Sequence, residues 1–119
     1  MLTRIAVASL WAENVPQTAH FYRDVIGLPL MSYHGEWPHF KLGDSYMVIL
    51  KGRPMLPQDA PPACFPVIAF SVDDLEAAIE RLCNRGVEMP LGVESDSTSR
   101  WVMLTDPAGN LIELVQFGE

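Results

Sequence analysis

The sequence predicts an α+β fold of two tandem βαβββ modules, each sheet backed by one helix. Three observations predict it. A strand, a capped helix, a glycine stop and three short strands occur twice in the same order, the second copy 60 residues after the first, so that Val7 superposes on Val67 and Asn14 on Asp74. A proline-rich stretch separates the copies: five of the ten prolines (Pro54, Pro57, Pro61, Pro62 and Pro66) lie within residues 51–66. Neither copy, at about 50 residues, could bury both faces of its sheet alone, so the two share one structure. The 119 residues read as a single domain, 1–119, with module 1 at about 1–52, a stiff linker at 53–65 and module 2 at about 66–119.

The elements follow in order. Residues 5–11 (Ile-Ala-Val-Ala-Ser-Leu-Trp) are apolar without alternation and read as a strand buried on both faces. Asn14 is a helix N-cap, and Pro16 falls in the first turn, where its missing N–H costs nothing. The helix runs to about Ile26 with Ala19, Tyr22 and Ile26 on one face, and Gly27 stops it. Strands are expected near 30–34, 37–42 and 45–50, with turns at His34-Gly35-Glu36 and Gly43-Asp44. Beyond the linker, Val67–Val72 reads as a strand and Asp73 or Asp74 as the next cap. Leu75, Ala78, Ile79, Leu82 and Cys83 form the apolar face of a second helix that Gly86 ends. Strands near 87–90, 100–105 and 110–116 complete the module, the last pair joined by Asp106-Pro-Ala-Gly-Asn110.

Composition narrows the function. The chain is 49% apolar and 19% charged, with no run near the 18–20 apolar residues of a membrane span. Eight basic residues against fifteen acidic ones give a net charge of −7, and no Lys/Arg cluster is present to neutralise phosphates, which argues against nucleic-acid binding. Cys64 and Cys83 form no C-x-x-C and read as one linker and one core cysteine. The opening Met-Leu-Thr-Arg-Ile has no signal-peptide anatomy, so a cytoplasmic location is the expectation.

Three segments carry a family resemblance. Asn14-Val-Pro-Gln-Thr-Ala-His-Phe-Tyr-Arg-Asp-Val-Ile-Gly27 is similar to the helix signature of the vicinal oxygen chelate superfamily, the glyoxalase, bleomycin-resistance and extradiol-dioxygenase group. Val72-Asp-Asp-Leu-Glu-Ala-Ala-Ile79 resembles the matching segment of its second module, and Asp106-Pro-Ala-Gly-Asn-Leu-Ile-Glu-Leu114 the turn and strand that close such domains. The resemblance implies concave mixed sheets, a homodimer, and in many members a divalent metal held by one residue from the first and last strand of each module. Here the implied positions fall on Val7, Val67, Val48 (or Met47) and Glu113, so a single ligand type remains and no metal or other cofactor is expected. His20 reads as an exposed helix residue and His34 as a solvated turn residue. Glu113 has two readings, a former ligand now hydrogen-bonded in a polar pocket, or a base of raised pKa.

The same positions set which side chains would face the trough of each sheet. With Val7 inward, Ser9 and Trp11 are inward; with Val67, Ala69 and Ser71; with Val48, Tyr46 and Leu50; with Glu113, Leu111 and Val115. In the remaining strands the aliphatics are assigned to the helix side, which leaves Trp37, His39, Trp101 and Met103 in the trough. All three tryptophans thereby line it. The expected ligand-binding residues are Ser9, Trp11, Trp37, His39, Tyr46, Trp101, Met103 and Glu113, and the expected partner is an aromatic small molecule. The expected function is metal-free sequestration of an aromatic antibiotic or natural product, with no catalytic residue. The alternative is a lyase, isomerase or oxygenase on the same scaffold that uses Glu113 or His39 as acid/base.

Overall fold

The structure is a computed structural model that describes residues 5–34, 37–53 and 68–118. The chain divides into two compact units, Met1–Leu56 with Pro107–Asn110, and Pro57–Asp106 with Leu111–Glu119.

The first unit holds β1 (Val7–Ala12), α1 (Val15–His20), a π-helical segment (Phe21–Ile26), β2 (Leu30–His34), β3 (Trp37–Leu42) and β4 (Ser45–Lys51). Its sheet runs β1-β4-β3-β2, with β1 parallel to β4 and the other pairs antiparallel. The helix starts where its cap chemistry says it should: Asn14 Oδ1 accepts from the Gln17 N–H at 3.0 Å. It does not continue as a regular α-helix to Ile26. Phe21–Ile26 is π-helical, and the Gly27 N–H reaches back to the Tyr22 carbonyl at 3.0 Å. The wider turn coincides with burial of two consecutive aromatics, Phe21 and Tyr22, whose rings meet edge to face at 5.3 Å. Gly27, at φ 96°, then ends the helix in the left-handed region, as expected. Leu10, Ala12, Phe40, Met47 and Ile49 face this helical segment and are buried.

The second unit holds β5 (Ile68–Ser71), α2 (Leu75–Asn84), β6 (Glu94–Ser95), β7 (Ser99–Thr105) and β8 (Leu111–Phe117), in the sheet order β5-β8-β7-β6. Again the first strand pairs in parallel with the last. Of the two cap candidates Asp74 is the cap, its Oδ1 accepting from the Ala77 N–H at 3.0 Å. The next free N–H of the helix, that of Leu75, donates to Gln116 Oε1 on β8 at 2.7 Å, which ties α2 to the sheet it covers. Phe70, Leu75, Ala78, Leu82, Val102, Leu104, Ile112 and Leu114 form this unit's core.

Three expectations need correction. No strand forms at 87–90. Pro90 has no N–H to give a ladder, and Gly92, at φ 64°, turns the chain with its N–H on the Met89 carbonyl at 3.1 Å, so the edge strand is delayed to Glu94–Ser95. Cys83 is exposed, because the buried stripe of α2 is only Leu75, Ala78 and Leu82 wide and Cys83 lies beyond its margin. β1 is buried on one face only: Leu10 and Ala12 are covered, whereas Val7 is 51% and Trp11 48% exposed. The helix covers one side of the sheet and the strand alternates after all. Cys64 and Val67 lie outside the described residues, and of His34 only the backbone, in β2, is described.

Candidate functional site

Period-two alternation gives each sheet two chemically distinct faces. In the first unit the helix-free face carries Val7, Ser9 and Trp11 from β1, Tyr46, Val48 and Leu50 from β4, and Trp37, His39 and Lys41 from β3. Register brings them into rows: Ser9 beside Val48 beside His39, Val7 beside Tyr46 beside Lys41, and Trp11 beside Leu50. His39 Nδ1 lies 2.9 Å from the Trp37 carbonyl oxygen. A carbonyl can only accept, so Nδ1 donates in this contact. Lys41 Nζ stands over the Tyr46 ring, 4.9 Å from its centroid, in a cation–π contact.

In the second unit the corresponding face carries Ala69 and Ser71, Leu111, Glu113 and Val115, Trp101 and Met103, and Glu94 from the short edge strand. Glu113 is flanked by Ala69 on one side and Met103 on the other, and Trp101 lies between Val115 and Glu94. With apolar neighbours on both strands, burial pushes the Glu113 carboxyl above the usual carboxylate range, and the negative charge of Glu94 pushes it further in the same direction. Asp96 holds the β6–β7 turn that presents Glu94: its Oδ1 accepts from the Thr98 and Ser99 N–H groups at 2.9 and 2.8 Å, and these bonds lower its pKa.

Five of the expected site residues (Ser9, Trp11, Trp37, His39 and Tyr46) thus share one face of the first sheet, and three (Trp101, Met103 and Glu113) share one face of the second. His20 is exposed on α1 and paired with Asp24 at 2.7 Å, on the helix and not on the helix-free face of the first sheet. Two charged residues were not anticipated. Lys41 was within reach, having the parity of His39. Glu94 was not, because it follows the Pro90–Gly92 turn, where strand parity is lost.

Among the described residues, the side chains around Glu113 and at the positions implied for ligands do not fit a divalent metal. Around Glu113 the adjacent strands offer Ala69 and Met103, and the positions implied for ligands in the first unit are the hydrocarbons Val7 and Val48. Among the described residues no group of three His, Cys, Asp or Glu side chains is placed to hold an ion.

A family model described as Glyoxalase/Bleomycin resistance protein/Dioxygenase superfamily matches residues 4–114. No curated protein matches the chain. Solved structures do. TnmS3, an antibiotic binding protein from Streptomyces sp. CB03234, is 25% identical with a TM-score of 0.78, over 98% of each chain. A glyoxalase/bleomycin resistance protein from the same Streptomyces strain is 26% identical with a TM-score of 0.71, over 93% of this chain and 98% of that one. Lactoylglutathione lyase from Agrobacterium tumefaciens is 22% identical with a TM-score of 0.75, over 98% of this chain and 95% of that one, a likeness of fold. No helix of the described residues is long and apolar enough to cross a membrane.

Proposed function

From the premise that the chain belongs to the glyoxalase/bleomycin resistance protein/dioxygenase superfamily, we propose that it is a homodimeric, metal-free binding protein that sequesters a planar aromatic antibiotic or natural product. The observation that carries this reading is the placement of the tryptophans. Trp11, Trp37 and Trp101 all stand on helix-free sheet faces, whereas Leu10, Phe40, Val102 and Leu104 of the same strands fill the cores. Indoles kept out of a core that had room for aliphatics are suited to stack on a flat ligand, with Ser9, His39, Tyr46 and Glu113 as polar anchors and Met103 as a pliable neighbour. The likeness to an antibiotic binding protein supports the ligand class. The exposure of Val7 and Trp11 on β1, an edge strand, supports association of two copies.

The mechanism is occlusion. Each bound molecule is removed from its target, so protection requires a dissociation constant below the working concentration of the compound, about −9 to −12 kcal/mol for sub-micromolar to nanomolar binding. Stacking and apolar burial supply most of it without covalent chemistry. Native mass spectrometry of protein purified from cells fed a planar antibiotic tests the reading in one spectrum. The expected species has two chains and carries the organic mass with no transition metal. A single-chain species, or one with stoichiometric metal, overturns the corresponding part.

The enzymatic reading is kept by one observation, the raised pKa of Glu113. A carboxyl that holds its proton more tightly in the folded chain destabilises the fold when ionised, and the penalty fades as the pH falls through the raised pKa. Glu113→Gln is therefore expected to raise the Tm near neutrality, by less than about 1 kcal/mol of stability for this partly solvated group, and to lose that advantage in acid. In a binding protein the same substitution costs about 0.5–3 kcal/mol of affinity. In an enzyme using Glu113 as base it costs at least ~100-fold in turnover with the ligand still bound, and that outcome would replace the binding reading.

A further inference from the structure

Trp11 is a large side chain that is half exposed yet seated against a particular backbone atom. A methyl group built on Gly52 would lie 2.7 Å from Trp11 Cε3, 3.3 Å from Cζ3 and 3.5 Å from Cδ2. The edge of the indole's six-membered ring therefore rests on the Gly52 Cα, in space that any other residue would fill.

The backbone under the indole has little freedom to yield. Trp11 pairs with Leu50 and Ala12 with Lys51, and the Gly52 N–H continues the ladder onto the Ala12 carbonyl at 3.0 Å. Lys51 Nζ donates to the Glu13 carbonyl at 2.7 Å, and Arg53 pairs with the Glu13 carboxylate. The Trp11 carbonyl accepts from Asn110 Nδ2 at 2.9 Å, a bond from the Pro107–Asn110 turn that belongs to the same compact unit. With the main chain held on both sides, a side chain at position 52 would have to be relieved by rotating the whole indole, moving its edge about 1 Å to reach ordinary carbon–carbon contact.

We infer that Gly52 is a positioning residue that fixes the Trp11 indole in its ligand-stacking orientation before the ligand arrives. The inference rests on the reading of Trp11 as a wall of the binding site and names what sets that wall. An indole already held in one rotamer has lost its side-chain entropy on folding, so a planar ligand gains the stacking without ordering the ring. Substitution at Gly52 leaves the indole present but misplaced.

The test is a double-mutant cycle of Gly52→Ala and Trp11→Ala, read by titration with the planar cationic dye proflavine, which suits the acidic chain. Gly52→Ala is expected to weaken binding about 3- to 10-fold, the cost of immobilising one side chain anew. In the Trp11→Ala background it is expected to change nothing. Equal weakening in both backgrounds means that Gly52 acts on the fold and overturns the inference. If Trp11→Ala weakens binding and Gly52→Ala does not, the wall stands and the positioning role is overturned. If Trp11→Ala has no effect, the underlying reading falls and the inference with it. Should Gly52→Ala not fold, ¹⁹F NMR of the ligand-free native sequence labelled with 5-fluorotryptophan decides. A single dispersed Trp11 resonance supports the seat, and a motionally averaged one at the position of free indole overturns it.

Discussion

Phe40→Ala is expected to lower stability by about 3–5 kcal/mol, the cost of removing a large aromatic from a close-packed core. Phe40 is fully buried, stands opposite Met47 across the sheet, and meets the Tyr22 ring at 6.2 Å between centroids. It is one of the points at which the π-helical segment and the first sheet are packed together. Against the about 5–15 kcal/mol that holds a typical domain, such a loss is about a fifth of the total at the least. Urea denaturation followed by far-UV circular dichroism measures it. A change below about 1 kcal/mol would mean that the helix does not pack on this face, and the sheet assignment would have to be reversed. Because Trp37 and His39 point to the other face, the fraction that remains folded is expected to bind ligand as the native chain does.

Replacing Trp11, Trp37 and Trp101 together by Ala is expected to abolish binding of planar aromatics, with a loss of at least ~100-fold. One stacked aromatic contributes about 1–3 kcal/mol in platforms that hold nucleic-acid bases, and the three are separate enough in sequence and strand that some of their effects should add. Saturable quenching of the native indole emission by proflavine measures affinity before substitution, and isothermal titration measures it after. The folded state should survive, since Trp11 is half exposed and Trp37 and Trp101 are partly so. Equal binding to the triple variant would sink the assignment of the helix-free faces as the site.

What could be read from the sequence is what depends on neighbours along the chain. Asn14 was identifiable as a cap, and the second cap could be narrowed to Asp73 or Asp74, because a cap is a bond between residues three apart; Asn14 and Asp74 make it. The two faces of β3, β4, β7 and β8 follow from alternation once the family resemblance sets the parity of β4 and β8 and the aliphatics set that of β3 and β7, and Phe40, Ile49, Val102 and Leu104 are buried as that assignment requires. The departures occur where the chain is governed by something distant or irregular. The π-helical turn at Phe21–Ile26 reflects a core that takes both Phe21 and Tyr22, which helical periodicity does not allow for. The missing strand at 87–90 was a choice between apolar content and the breakers Pro90 and Gly92, and the breakers prevailed. Two contacts that shape the faces, Gly52 against Trp11 and Asn110 on the Trp11 carbonyl, and the charge of Glu94 acting on Glu113, join residues with no local sequence signal between them.

The strand order has a consequence for how the chain assembles. In each sheet the strand that comes last along the chain lies second in space, between the first strand and the penultimate one. The first sheet draws on Val7–Lys51 alone and can close once that stretch has left the ribosome. In the second, β5 and α2 emerge early but must wait for Leu111–Phe117, because β5 has β8 as its sheet neighbour and the Leu75 N–H needs Gln116. During synthesis the apolar stripe of α2 is therefore exposed for the whole time it takes to make about 30 further residues, a few seconds at about 5–20 residues per second. The proline-rich stretch between the modules falls in the interval between these two closures.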